Sequence, residues 1–163
     1  MAKSMKRSAR VLLVSALLLA AAAEGTAMAA TEPGAAASPT ELRAQATEHL
    51  KFLYAMYFAI RGCTEAAEEQ GEPRFRPTVS YAEAQSVLRA ADEAARAVGV
   101  DVDAAWLEMS AVGQAAGEAL KTRGDGNFQK CQQSGMFFRT ITSRLQMTIR
   151  SINGTIPIIR RDY

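Results

Sequence analysis

The chain contains two cysteines, Cys63 and Cys131, and both follow an N-terminal segment typical of exported proteins. Disulfides form and persist in oxidising compartments, so such a pair favours a structural disulfide over two free thiols. The bridge would close a loop of 68 residues and bring two distant parts of the chain together. The spacing excludes a C-x-x-C redox pair, and the chain has no C-x-x-C-H haem attachment motif.

The first 29 residues predict a secretory signal peptide. Four basic residues precede the apolar run 11–23, and the small residues Ala27 and Ala29 frame a cleavage site. The run is shorter than the roughly 20 apolar residues that span a bilayer, which disfavours an uncleaved anchor. We therefore expect a periplasmic mature chain that begins at Ala30 and has no transmembrane segment. The alternative location is the medium, if the protein is secreted.

Cleavage of this segment changes the charge of the protein. Without residues 1–29, fifteen Lys and Arg residues stand against sixteen Asp and Glu residues, so the mature chain is close to neutral. The sequence pI of about 8.7 therefore reflects the signal peptide. Because nucleic-acid affinity depends on an excess of basic residues, the mature chain is not expected to bind nucleic acid.

The mature sequence predicts four amphipathic helices. Ser38 and Ser80 each precede a glutamate by three residues, which is the pattern of a helix N-cap. Apolar residues then recur at intervals of three and four, and no segment alternates as a strand does. The residues that mark the apolar face of the third helix are Trp106, Met109, Val112, Ala116 and Leu120.

These features predict an all-α protein, an up-down-up-down four-helix bundle with one disulfide, preceded by a cleaved signal peptide. The expected division is a signal peptide over 1–29, a flexible N-terminus over 30–37, the bundle over 38–154 and an extended tail over 155–163. In this topology the end of the first helix lies beside the start of the fourth. Cys63 and Cys131 occupy those two positions, which supports the disulfide.

Two apolar features favour a binding role. Four aromatic residues crowd the first helix, and three isoleucines surround Pro157 in the tail. The rings either fill the centre of the bundle or form an exposed patch of the kind that marks an interface. The tail either covers the bundle or docks on a partner. The candidate interaction patch comprises Phe52, Tyr54, Tyr57, Phe58, Ile156, Ile158 and Ile159.

The single histidine, His49, is a weak candidate for a cofactor ligand. Met147 should lie near its level in the bundle, as in b-type haem proteins, but should point away from the helix that carries His49. A half-buried histidine bonded to a neighbour is the commoner arrangement. No cofactor and no metal site is therefore predicted.

Enzyme signatures are lacking as well. His49 and Cys63 are about 21 Å apart along one helix, too far for a catalytic pair, and the chain has no Gly-x-Ser-x-Gly elbow or phosphate loop. The sequence thus predicts a non-catalytic accessory or adaptor protein of the cell envelope. Its partner would be an envelope protein or a second copy of the chain. The alternative is a bundle that binds a small apolar ligand or haem.

Overall fold

The computed structural model describes residues 37–154, which belong to one compact unit. The predicted signal peptide, residues 30–36 of the predicted flexible N-terminus and the tail 155–163, with its three isoleucines, lie outside the described residues. Within residues 37–154 the structure contains four α-helices and no strand. They are α1 (Pro39–Gln70), α2 (Tyr81–Ala97), α3 (Val102–Leu120) and α4 (Asp125–Ile152). The prediction of a helical bundle is therefore confirmed.

Side-chain caps fix where the helices begin. The Ser38 hydroxyl accepts the Glu41 backbone N–H at 3.2 Å, and the Glu41 carboxylate accepts the Ser38 N–H at 2.7 Å. This reciprocal pair satisfies backbone donors that the first turn of α1 leaves free. Gly71 ends α1 in the left-handed conformation, at φ 61°. A loop with a single 3-10 turn at Pro73–Phe75 then leads to α2.

Contacts along the helices establish their directions. Tyr54 meets Trp106 and, further along both helices, Glu65 pairs with Lys121 at the end of α3, so α1 and α3 run parallel. Tyr54 also bonds Asp92 of α2, while Arg43 near the start of α1 bonds the carbonyl of Val98 at the end of α2, so these helices are antiparallel. α4 is antiparallel to α1 as well, since Cys63 joins Cys131 whereas His49 lies beside Thr148.

Helix α1 lies at the centre of this arrangement. It packs against each of the other helices, while α3 contacts α1 extensively and touches α2 and α4 only marginally. The larger hydrophobic cluster joins α1 to all three helices, and a smaller one surrounds the disulfide with Phe75, Leu120 and Phe128. Because α3 stands apart from α2 and α4, a cleft opens along each of its sides.

The predicted apolar face of α3 is wrong at Val112 and Ala116. Val112 is 64% exposed and Ala116 is also exposed, whereas Gly113 and Gly117 are buried. The reason is that α3 approaches α1 through its two glycines rather than through its larger apolar side chains. Of the predicted face, Leu120 is buried, Met109 is partly buried, and Trp106 is 38% exposed.

Candidate functional site

The aromatic residues of α1 divide between core and surface. Tyr54, Tyr57 and Phe58 are at most 9% exposed, while Phe52 is 58% exposed. Three of the four rings thus fill the centre of the bundle, the first of the two arrangements that the sequence left open. They are core residues rather than members of an exposed patch, because α1 is surrounded by helices on three sides.

His49 and Met147 do not converge. The Nδ1 atom of His49 lies 3.3 Å from the Thr148 hydroxyl, and Met147 is 52% exposed on α4. Partial burial, and secondly the charge of Arg144, lower the pKa of His49. This is a half-buried histidine with a neighbour on α4, and it does not line either cleft beside α3.

The predicted disulfide is present. Cys63 and Cys131 are bonded, their Cα atoms are 5.6 Å apart, and both side chains are fully buried. The Phe75 and Phe128 rings pack edge to face beside the bond, with centroids 4.6 Å apart. The bridge therefore fixes α4 on α1 at one end of the bundle, beside the short connection between α3 and α4.

The cleft between α3 and α4 is an apolar groove of about 530 Å3, which we call the α3–α4 groove. Helix α1 supplies its floor, α3 one wall and α4 the other. Its apolar lining consists of Ala55, Met56 and Ala59 from α1, Ala116, Ala119 and Leu120 from α3, and Phe137 from α4.

Exposed apolar side chains extend the groove beyond this lining. Phe52 lies one turn before Ala55 and Met56 on the same side of α1, and Val112 lies one turn before Ala116 on α3. Phe137, on the opposite wall, is 47% exposed. Large exposed apolar surfaces of this kind mark binding sites in soluble proteins.

Two of the four polar side chains that line the groove are already engaged within the fold, and the other two are Lys130 and Gln133. The Ser134 hydroxyl donates to the Cys131 carbonyl at 2.7 Å. The Asn127 amide donates to the carbonyls of Ala119 and Thr122, at 3.2 and 2.9 Å. Lys130 adds a charge near the disulfide end. The groove thus offers apolar contact and one cation rather than a nucleophile with its base.

Charged side chains lie near both ends of the groove. Lys130 lies towards the disulfide end. Towards the Phe52 end, Lys51 pairs with Glu48 at 3.2 Å and with Glu108 at 2.8 Å, and the charge of Arg144 on α4 lies near His49. Lys130 is therefore the charged side chain of the groove lining itself.

Comparison with known proteins provides no relative. No family model matches the chain, and neither a curated protein nor a solved structure is detectably similar to it. Between residues 37 and 154, no helix is long and apolar enough to cross a membrane. The same residues contain no group of three His, Cys, Asp or Glu side chains that could hold a metal ion.

The cleft between α2 and α3 has a different chemistry, and we call it the aromatic cleft. It measures about 370 Å3 and combines aromatic, charged and amide side chains. Tyr57 of α1, Trp106 of α3 and four residues of α2, Gln85, Leu88, Arg89 and Asp92, line it.

Sequence reasoning missed both clefts because it placed the larger apolar residues of α3 in the core. A signal was available in Gly113 and Gly117, which are spaced by one helical turn, and in Gly62 of α1. Glycine at such positions permits close approach of two backbones. That packing would have turned Val112 and Ala116 outwards, towards the groove.

Proposed function

We propose that this protein is a non-catalytic adaptor of the cell envelope that binds an apolar helical segment of a partner protein in the α3–α4 groove. The observation that carries the proposal is the groove itself, with its apolar floor and walls and its exposed Phe52, Val112 and Phe137. The location in the cell envelope rests on the predicted signal peptide. The adaptor role in that compartment rests on it too.

The shape of the groove favours a helix as its occupant. Its walls are two helices of opposite direction, and α1 lies beneath them as the floor. Four alanines, Ala55, Ala59, Ala116 and Ala119, line the floor and one wall. Small side chains of this kind allow another helix to approach closely, while Phe137 and Leu120 provide larger contacts for its apolar side chains.

The length of the groove sets the size of the segment. The α4 wall runs from Asn127 to Phe137, which is about 15 Å at 1.5 Å per residue. An occupant of about three helical turns would therefore fill it. Such a segment would present apolar residues at intervals of three and four, as amphipathic helices bound in grooves do.

Charge gives the segment an orientation. An acidic residue at the end of the segment nearest the disulfide would lie near Lys130. Complementary charges at the rim of an interface mainly affect specificity and the association rate. We therefore expect apolar contact to supply most of the affinity and this charge to select the direction.

Photo-crosslinking in producing cells tests the proposal. Phe137 is replaced by p-benzoylphenylalanine, and in a matched variant the adjacent Met136 is replaced instead. Both side chains are about half exposed, but only Phe137 lines the groove. We expect a crosslinked partner from position 137 and none from position 136, with the crosslink mapping to an apolar helical segment.

Binding of that segment in isolation completes the test. A synthetic peptide of the mapped segment should bind the purified protein, and Phe137→Asp should weaken binding at least about tenfold while Met136→Asp has little effect. Crosslinks to a second copy, or to residues 155–163 of the same chain, would identify a different occupant and reject the partner-helix proposal. Equal crosslinking from both positions would reject the groove as the site.

A small apolar ligand is the second candidate. The groove volume of about 530 Å3 lies within the range of about 300–1,000 Å3 typical of ligand pockets. Native mass spectrometry of the protein recovered from the periplasm distinguishes the two functions. A retained small-molecule mass that disappears on denaturation, and is absent from Phe137→Asp, would favour the ligand over the partner helix.

A further inference from the structure

The aromatic cleft places the partly exposed ring of Trp106 beside a row of polar side chains. Trp106 is 38% exposed, and it is the single tryptophan of the chain. It faces Gln85, Arg89 and Asp92, which follow one another at intervals of four and three residues along one side of α2. This combination is independent of the α3–α4 groove, which lies on the other side of α3.

The tryptophan ring is held by other aromatic rings. It packs edge to face with Tyr54, with centroids 5.1 Å apart and planes at 87°, and tilted against Phe58 at 5.3 Å. Tyr54 and Phe58 are buried, so they fix the ring from the side of α1. The part of the ring that remains exposed is therefore oriented before any ligand binds, which reduces the entropy lost on binding.

The carboxylate of Asp92 is also fixed in place. The Tyr54 hydroxyl donates to it at 2.7 Å, while the nearby Arg96 pairs with Asp103 at 2.6 Å instead. Burial raises the pKa of Asp92, and the bond from Tyr54 opposes this. Asp92 thus retains acceptor capacity towards the cleft, since a carboxylate accepts several hydrogen bonds.

The two charges that line the cleft balance one another. Asp92 carries a negative charge and Arg89 a positive one, and both line the same space. Each attracts the ions that the other repels, so the pair gives the cleft no net preference for a cation or an anion. A neutral ligand with many hydroxyl groups would instead use both side chains, along with the amide of Gln85, as hydrogen-bond partners.

We propose that the aromatic cleft binds a neutral saccharide, with one pyranose ring stacked on Trp106 and its hydroxyl groups bonded to Asp92, Gln85 and Arg89. A pyranose has an apolar face of C–H groups, which complements the negative face of an aromatic ring. Its rim of hydroxyl groups donates and accepts hydrogen bonds, which complements the mixed polar row of α2.

Fluorescence of the single tryptophan tests this proposal on the intact mature protein. The probes are maltotriose, cellotriose and chitotriose, each titrated while the emission of Trp106 is recorded. We expect at least one of them to give a saturable change in emission. Gln85→Ala and Arg89→Ala should each weaken that binding several-fold, because each removes a hydrogen-bond partner of the sugar. Both residues are exposed and neither fixes the tryptophan, so the loss would be due to binding.

Two controls separate binding at the cleft from other effects. Leu107→Ala removes an exposed side chain next to Trp106 and should leave the titration unchanged, as should Phe137→Asp in the other cleft. Absence of a saturable change with all three sugars would overturn the proposal. Tetramethylammonium is titrated as a cationic control. A change in emission that persists in the Gln85→Ala, Arg89→Ala double variant, or one that tetramethylammonium alone produces, would also overturn the proposal.

Discussion

Gly62 of α1 lies directly against the backbone of Gly117 of α3. A Cβ atom placed on Gly62 would be 2.9 Å from the Gly117 Cα and closer still to the carbonyl oxygen of Gly117. One turn earlier, Gly113 lies under the Phe58 ring, where a Cβ would be 3.0 Å from Cγ. These contacts hold α3 on α1 at a separation that no larger residue would allow, whereas α3 touches α2 and α4 only marginally.

Gly117→Ala should destabilise the protein. The added methyl group would lie 2.7 Å from the carbonyl oxygen of Phe58, which is backbone and cannot move aside as a flexible side chain does. Forced expansion of a packed interface costs about 1–3 kcal/mol. We expect the free energy of unfolding, measured by urea denaturation, to fall by that amount, with a larger change in the emission of Trp106 than in helical content.

Gly126→Ala is the matched control. Gly126 lies in the first turn of α4, and nothing lies within 4 Å of the position a Cβ would take. Alanine is a better helix former than glycine, so this variant should be as stable as the original protein or slightly more stable. If both alanine variants were equally stable, the tight contact between α1 and α3 would be contradicted.

Removal of the disulfide should cost much more. A bridge that closes a loop of 68 residues stabilises a fold by roughly 4 kcal/mol in the chain-entropy model. Cys131→Ala should therefore lower the melting temperature by about 10 °C or more. A reducing agent should lower the melting temperature of the original protein in the same way and leave that of the variant unaltered. An unchanged melting temperature in Cys131→Ala would contradict a stabilising role of the disulfide.

The helices and the disulfide could be predicted from the sequence, the helices from local signals and the disulfide from the expected compartment and helix order. Ser38 and Ser80 cap their helices through bonds to residues three positions away, which a sequence displays directly. The pairing of Cys63 with Cys131 is expected from the predicted compartment and from the order of the helices. The two clefts depend instead on how closely α3 approaches α1, which is set by contacts between distant residues such as Gly62 and Gly117.

The aromatic residues of α1 illustrate the same limit. Their number indicated either a core or an exposed patch, and periodicity could not distinguish the two for a helix that is apolar almost all round. The position of α1 at the centre of the fold decides it, because Tyr54 and Tyr57 contact α2 and α3 together. Phe52 remains exposed because it lies between α3 and α4, which stand apart.

Asp92 should make stability depend on pH. Its pKa is raised in the folded state, chiefly by burial, so the folded protein binds the proton more readily than the unfolded chain. The stability it contributes is present below the unfolded pKa and is lost as pH rises through the folded pKa. Asp92→Asn keeps an acceptor for Tyr54, so its stability relative to the original protein should increase as pH rises through that window.

Tyr54→Phe provides a second measurement at the same contact. The hydrogen bond from Tyr54 lowers the pKa of Asp92, in opposition to burial. Its removal should therefore raise that pKa further, as followed by the carboxyl carbon resonance of Asp92. Tyr81→Phe removes a hydroxyl that bonds Tyr57 instead, and should leave the Asp92 titration in place. A shift of equal size in both variants would show that the contact with Tyr54 is not responsible.

His49 should titrate below the ordinary range for histidine. Burial is the main cause of its lowered pKa and the charge of Arg144 is the second. Because His49 is the single histidine of the chain, its NMR titration is unambiguous. We expect Arg144→Gln to raise the pKa towards 6.5 without reaching it, since burial remains. Arg150→Gln, a change of equal charge further along α4, should have little effect.

The lowered pKa of His49 also predicts how the stability of the protein changes in acid. The unfolded chain takes up a proton on His49 more readily than the folded protein does, so the stability due to neutral His49 is present above the unfolded pKa, about 6.5. It is lost as pH falls through the lowered pKa of the folded state. Urea denaturation between pH 7.5 and 5 should show a smaller loss of stability in His49→Gln than in the original protein. Parallel losses in the two proteins would mean that protonation of His49 does not oppose folding, and would contradict its burial against α4.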